Sequence, residues 1–164
     1  VNYVHLDTHI DCDGIFLSKD THGSPVRHVI EENLAKSVTL MGIRGLSNSG
    51  HDMAWLQQRH PRVVTARELR TKPLKEESFP PGNYYISLDI DFFDPGIAPA
   101  TGTPEPGGLF FHEFTDIVQA IARRGTIVGF DVVEVNPLLE GHAGITAHLG
   151  ARCVLELLSA ALDP

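Results

Sequence analysis

The sequence predicts a three-layer α-β-α fold with a mainly parallel sheet, and three observations carry that prediction. Short β-rich runs alternate with helix-patterned segments along the chain. The runs are almost continuously apolar, as strands covered on both faces must be. Acidic residues cluster where those runs end, at the edge where open parallel sheets bind ligands.

Tyr3 to Asp7 forms the first strand, and the opening Val1-Asn2-Tyr3-Val4-His5-Leu6-Asp7 already reads as the interior of a strand. The others are Val38 to Ile43, Arg62 to Thr65, Tyr84 to Asp89 and Ile127 to Glu134. Helical spacing marks Arg27 to Leu34, His51 to Gln58, Phe111 to Arg123 and Ile145 to Leu162. Phe114, Ile117, Val118 and Ile121 recur on one helical stripe, as do Leu149, Val154, Leu157 and Leu158. Residues 31–33 and Gly125 fit helix C-termini. Thr71 to Gly82, with three prolines and mixed charge, reads as an exposed connection.

With 164 residues, 42% hydrophobic and 21% charged, the chain suits one domain around a single core. A net charge of −8 argues against nucleic acid or an anionic membrane as partner, and fits a cationic ligand or a metal ion. No apolar run approaches the ~20 residues that span a bilayer, and no charged-then-apolar leader opens the chain. Cys12 and Cys153 make no disulfide framework, so a reduced, cytoplasmic protein is expected.

The chemistry concentrates at the strand ends: Asp7 after the first strand, Asp89 and Asp91 after the fourth, Asp131 and Glu134 on the fifth. Carboxylates crowded this way repel and raise one another's pKa, and a bound cation relieves them. In Asp7-Thr8-His9-Ile10-Asp11, alternation places Asp7, His9 and Asp11 on one side of an extended segment. This mixed O/N set suits Mn²⁺ or Zn²⁺ better than Ca²⁺, although alone it reads equally as a capping Asp beside a solvated His. Asp89-Ile90-Asp91 repeats the pattern, and together the two motifs supply enough ligands for two bridged ions that activate a water. His5 shares the parity of the first triple but reads as a core or supporting residue.

The stretch from Ser87-Leu88-Asp89-Ile90-Asp91-Phe92-Phe93-Asp94-Pro95 through Thr101-Gly102-Thr103-Pro104-Glu105-Pro106-Gly107-Gly108 resembles the ureohydrolase signature of arginases and agmatinases. So do His5-Leu6-Asp7-Thr8-His9-Ile10-Asp11, where the family usually has Ala in place of Thr8, and Gly129-Phe130-Asp131-Val132-Val133-Glu134-Val135-Asn136-Pro137. The resemblance implies an arginase-like fold and two Mn²⁺ ions held by Asp7, His9, Asp11, Asp89 and Asp91. It also implies attack by a hydroxide bridging the ions on the guanidino carbon, releasing urea and an amine. Glu134 is then the clamp on the substrate guanidinium. His22 is the proton shuttle to the leaving amine, and Thr103 lies near the substrate. Each also has a structural reading: Glu134 a strand-end ion pair, His22 a loop residue, Thr103 a turn residue.

Asp13, near a family asparagine that reads the arginine α-amino end, meets either a cationic tail or solvent. The loop Cys12-Asp13-Gly14-Ile15-Phe16 lacks the arginase pattern, so agmatine is the first substrate expected. Guanidinobutyrate, related guanidino acids, formiminoglutamate hydrolysis and a non-catalytic truncated relative are the alternatives. The family's earlier glycine-rich block, with a further histidine ligand, has no counterpart ahead of Asp7. The chain is therefore expected to be the C-terminal portion of one ureohydrolase catalytic domain, without its N-terminal β-α units. The resemblance implies a homo-oligomer, a trimer or hexamer. His28, His51, His60, His112, His142 and His148 read as surface or loop histidines, Cys12 as a buried thiol, and Trp55, Phe92 and Phe93 as core.

Overall fold

Five runs of apolar and β-branched residues become five strands: β1 (Asn2–Leu6), β2 (Ser37–Ile43), β3 (Arg62–Thr65), β4 (Tyr84–Asp89) and β5 (Ile127–Val133). The computed structural model describes residues 1–14, 21–72 and 74–162; Ile15 and Phe16, named above, lie outside them. The strands lie in the order β3-β2-β1-β4-β5, and every pairing is parallel. The connecting helices are α1 (Pro25–Glu31), α2 (Gly50–Gln57), α3 (Ala66–Thr71), α4 (Phe111–Ala122) and α5 (Ile145–Leu162).

The three layers follow from alternation along the strands. Val4, Leu6, Met41, Ile86 and Leu88 pack with Ile117, Val118, Ile121, Cys153 and Leu157, so α4 and α5 cover one face. Tyr3 and Leu40 pack with Val26 and Leu56, so α1 and α2 cover the other. Full burial of side chains such as Phe114 and Ile121 stabilises the fold by about 1.5–3 kcal/mol each.

Several expectations need correction. Helix α1 begins two residues early, because Pro25 is preorganised for a first turn, and it ends at Glu31 before the left-handed Asn33 (φ 53°). Helix α3 was not expected; Thr65 and Glu68 form a reciprocal capping box that starts it. The connection 71–82 is not wholly exposed, since Phe79 is fully buried and meets Tyr84 edge-on at 6.5 Å. Strand β5 stops at Val133, so Glu134 lies beyond it, at φ 60°. Asp131 lies within β5 and accepts a hydrogen bond from Ser87 Oγ at 2.8 Å, so it is not at the sheet's end.

Helix α5 is long and apolar enough, by length and composition alone, to cross a membrane, contrary to the expectation that no run approaches that length. Here it lies against the sheet at Gly150, where a Cβ would come within 3.3 Å of Val135. Cys153 and Leu157 are buried, while Leu155, Leu158 and Leu162 face outward. Leu158 therefore does not belong to the buried stripe.

At Gly42 the register of β2 slips between Met41 and Ile43, and the backbone takes φ 98°. A Cβ there would meet the Phe92 ring at 2.5 Å and the Asp7 carbonyl at 2.8 Å, so no side chain fits. The burial of Phe79 is directly testable. Phe79→Ala should destabilise by about 3–5 kcal/mol, read by denaturant unfolding; a loss under about 1 kcal/mol would return this segment to the surface.

Candidate active site

Strand β1 lies between β2 and β4. The chain leaves β1 toward β2 and β3, then returns on the other side as β4 and β5, which makes the carboxyl ends of β1 and β4 a topological switch point. Asp7 is the first residue beyond β1 and Asp89 the last of β4, and both are buried.

The acidic motifs converge by turning rather than by strand alternation. The strand conformation ends at Leu6, and Asp11 sits at φ 45°, a left-handed conformation costly for a non-glycine residue. Ile90–Phe92 forms a single 3-10 turn capped by Asp89. One oxygen of each of three carboxylates is tied to the backbone. Asp7 Oδ1 accepts from His9 N–H at 2.5 Å, Asp89 Oδ1 from Asp91 N–H at 2.9 Å, and Asp91 Oδ1 from Thr8 N–H at 3.2 Å.

The other oxygens point inward. Asp7, His9 and Asp91 bring ligand atoms within 4.8 Å of one another, and so do His5, Asp7 and Asp11. Asp7 is common to both groups, as a bridging carboxylate would be. Asp89 belongs to neither close group, but lines the same cavity as His9 and Asp11. His5, expected as a core or supporting residue, is buried and also belongs to one of the close groups: Nε2 lies 2.9 Å from Asp7 Oδ2 and Nδ1 lies 3.3 Å from the Tyr3 hydroxyl.

Asp7 Oδ2 and Asp91 Oδ2 are buried without a properly formed hydrogen bond. His5 and His9 nitrogens approach them at 2.9 and 3.0 Å, but contact distance alone does not satisfy a carboxylate when the angles are poor. Burial pushes Asp89 up to about 10, with the charges of Asp7 and Asp91 adding to it. Burial and Asp7 likewise raise Asp11. For Asp7, burial is outweighed by His5 and His9, which hold it well below the carboxylate range. His9 is lowered by burial but lifted further by Asp7 and Asp91, to about 10. Orphaned oxygens, shared carboxylates and mixed O/N donors fit a pair of divalent cations such as Mn²⁺.

A cavity of about 140 Å³ opens above this centre, and every other residue singled out as a site candidate lines it: Asp13, His22, Thr103 and Glu134. His22 is exposed, with Nδ1 3.9 Å from Glu134 Oε1. Asp13 donates its N–H to the Gly23 carbonyl at 2.8 Å, tying the two loops together. Sequence reading missed Ser47, Asn48, Ser49 and Asp52 on the far wall. Their one sequence signal is Ser49, the N-cap of α2, which accepts from Asp52 N–H. Arg44 was missed too; its guanidinium donates to carbonyls of Gly42, Asp91, Phe92, Phe93, Glu105 and Pro106. Phe92 belongs to the core, and neither His142 nor His148 lines the cavity.

A parallel α/β sheet with carboxylates and histidines clustered at its switch point presents a donor set that could hold a metal ion. The arginase family model matches residues 1–159, and the chain belongs to the arginase family. It is similar to proclavaminate amidinohydrolase of Streptomyces clavuligerus, at 38% identity over 94% of this chain and 52% of that protein. The solved structure of that name superposes with TM-score 0.85 and 35% identity, over 98% of this chain and 56% of that one. Guanidinobutyrase of Pseudomonas aeruginosa is 36% identical over 96% of this chain and 52% of its own length. Mitochondrial agmatinase of Gallus gallus is 37% identical over 96% and 48%. The chain spans about half the length of these curated relatives, which by name act on guanidino compounds.

The raised carboxylates set a pH dependence. The Asp89 pKa rises on folding from 3.8 to about 10, so the metal-free protein loses stability as pH climbs between those values. His9, raised from 6.5 to about 10, acts in the same direction above neutrality. Cation binding must displace these protons. The melting-temperature gain from saturating Mn²⁺ should therefore be larger at pH 8.5 than at pH 6, as thermal denaturation at both would show. An equal gain at both would contradict the proton displacement.

Proposed function

We propose that this chain carries the site for hydrolysis of a linear guanidino compound, agmatine first, to urea and an amine. The observation that carries the reading is the convergence of Asp7, His9, Asp11, Asp89 and Asp91 beneath a cavity whose described lining holds no Lys or Arg. Those five residues would hold two Mn²⁺ ions. When bound, the ions bring the pKa of water toward neutrality and neutralise charge that develops on the reacting centre.

Glu134 pairs with the guanidinium through a charge-assisted, two-oxygen contact and directs its carbon toward the centre. Its left-handed backbone at φ 60° is the conformational cost of aiming the carboxylate away from the strand. His22, solvent-exposed beside Glu134, takes a proton from water and delivers it to the departing amine nitrogen. Thr103 contributes a hydroxyl at the rim. Asp13, exposed at the outer end, meets the ammonium tail. A carboxylate tail would find Asp13 and Asp52 there, and Asp52 is already paired with Arg27 at 3.3 Å. This is why agmatine is preferred to guanidino acids. The half-length coverage of the relatives supports reading the chain as the C-terminal portion of one ureohydrolase catalytic domain.

The deciding experiment is urea release with Mn²⁺ from the complete protein, across agmatine, guanidinobutyrate and arginine. Agmatine should be the best substrate; a preference for guanidinobutyrate would overturn the tail assignment. Glu134→Gln should lower kcat/KM about thirtyfold or more, as loss of one partner of a charge pair costs about 2 kcal/mol or above. Its Mn²⁺ content should not change. Asp13→Asn should raise the KM for agmatine about threefold, the scale of an exposed ion pair, and leave guanidinobutyrate unaffected or improved.

A further inference from the structure

Residues 44–49 join β2 to α2, Ser47, Asn48 and Ser49 among them line the cavity, and the hydrogen bonds of the Asn48 amide go to the backbone. Its Oδ1 accepts from Ile10 N–H at 2.9 Å. Its Nδ2 donates to the Thr8 carbonyl at 3.2 Å and to the Arg44 carbonyl at 2.7 Å. The amide therefore grips the chain on both sides of His9. The partners fix its orientation: reversed, the amide oxygen would face two carbonyls and the nitrogen an N–H.

The gripped segment is joined to the site a second time. Thr8 N–H donates to Asp91 Oδ1 at 3.2 Å, and His9 Nδ1 lies 3.0 Å from Asp91 Oδ2. Asn48 is itself secured, because Arg44, whose carbonyl it holds, donates N–H to the Thr8 carbonyl at 3.1 Å and its guanidinium to the Asp91 carbonyl at 2.8 Å. Asn48 also lines the cavity, so its place alone would admit a contact with substrate. Both of its donors are spent on carbonyls and its oxygen already accepts from Ile10, so these bonds tie the amide to the backbone. One lone pair of the oxygen remains, and the KM for agmatine separates a substrate contact from a positioning role.

We propose that Asn48 is a positioning residue for the metal centre, holding the His9 segment at the distance from Asp91 at which both side chains reach one cation. The inference rests on the metal-dependent reading above. Residues that orient a ligand without touching the ion typically matter about 10–100-fold in metal affinity. Without Asn48, Ile10 N–H loses its partner and the Thr8 carbonyl loses one of two. The contacts of this segment with Asp7, Asp91 and Arg44 remain, and the backbone samples positions from which the imidazole misses the ion.

The test uses the complete protein and its Asn48→Ala and Asn48→Ser variants, with Mn²⁺ titrated against melting temperature and against urea release. For Asn48→Ala, the Mn²⁺ concentration at half-effect should rise about tenfold. The metal-free melting temperature should fall by a few degrees for the hydrogen bonds lost, and the KM for agmatine at saturating Mn²⁺ should be unchanged. Asn48→Ser, whose hydroxyl keeps one of the contacts, should fall between the two, and it carries the comparison if the alanine variant does not fold. An unshifted Mn²⁺ midpoint in the variants would overturn the proposal. So would a lowered metal-free melting temperature with unchanged Mn²⁺ affinity, which marks a purely structural role, or a raised KM alone, which marks a substrate contact. If the unaltered protein shows no response to Mn²⁺, the metal-dependent reading itself fails, and this inference with it.

Discussion

The structure depends on keeping Asp7, Asp11, Asp89 and Asp91 close together at the middle of a parallel sheet. Two unit charges 4 Å apart repel by about 4 kcal/mol at the effective dielectric of a protein. The fold meets this with local devices. Backbone N–H groups hold one oxygen each of Asp7, Asp89 and Asp91. His5 and His9 approach different oxygens of Asp7, at 2.9 and 3.3 Å. What remains is an arrangement whose free oxygens and raised pKa values are the electrostatic complement of a cation.

Topology decides that these groups meet. Leu6 pairs with Leu88 across the β1–β4 boundary, although the two lie far apart in the chain. The walls are more distant still: residues 44–49 follow β2, Thr103 follows β4, and Glu134 follows β5. No two neighbouring elements make this site alone. It exists only once the sheet has closed around β1, so ligand binding reports on the entire arrangement.

The strands were legible because parallel strands buried on both faces leave nearly unbroken apolar runs, and each boundary fell within a residue or so. The covered stripe of α4 was legible for the same reason. Helix α3 was missed because six residues hold no periodicity, although the Thr65-Ala66-Arg67-Glu68 capping box was there to read. The burial of Phe79 was hidden by three prolines that suggested a loop. At the site, the candidate ligands stood out as repeated Asp-x-Asp and Asp-x-His-x-Asp spacing. The turn geometry that brings them together did not, because left-handed φ values at Asp11 and Glu134 follow from tertiary context. Asn48 and Arg44 were illegible because they act through backbone atoms, which leave no residue-type signature in the segments they hold.

Gly42 links the two faces of this design. Its bare α-carbon lets the Phe92 ring and the Asp7 carbonyl approach the β2 bulge together. Phe92 follows Asp91, and the Asp7 carbonyl belongs to the residue shared by both clusters, so the floor of the centre rests on an absence of side-chain volume in a strand that supplies no ligand. The position behaves as a spacer of fixed thickness. Added bulk there would shift the Phe92 ring and the Asp7 carbonyl together, making it a place where sequence drift could distort the carboxylate cluster while leaving each of its residues, and most of the core, in place.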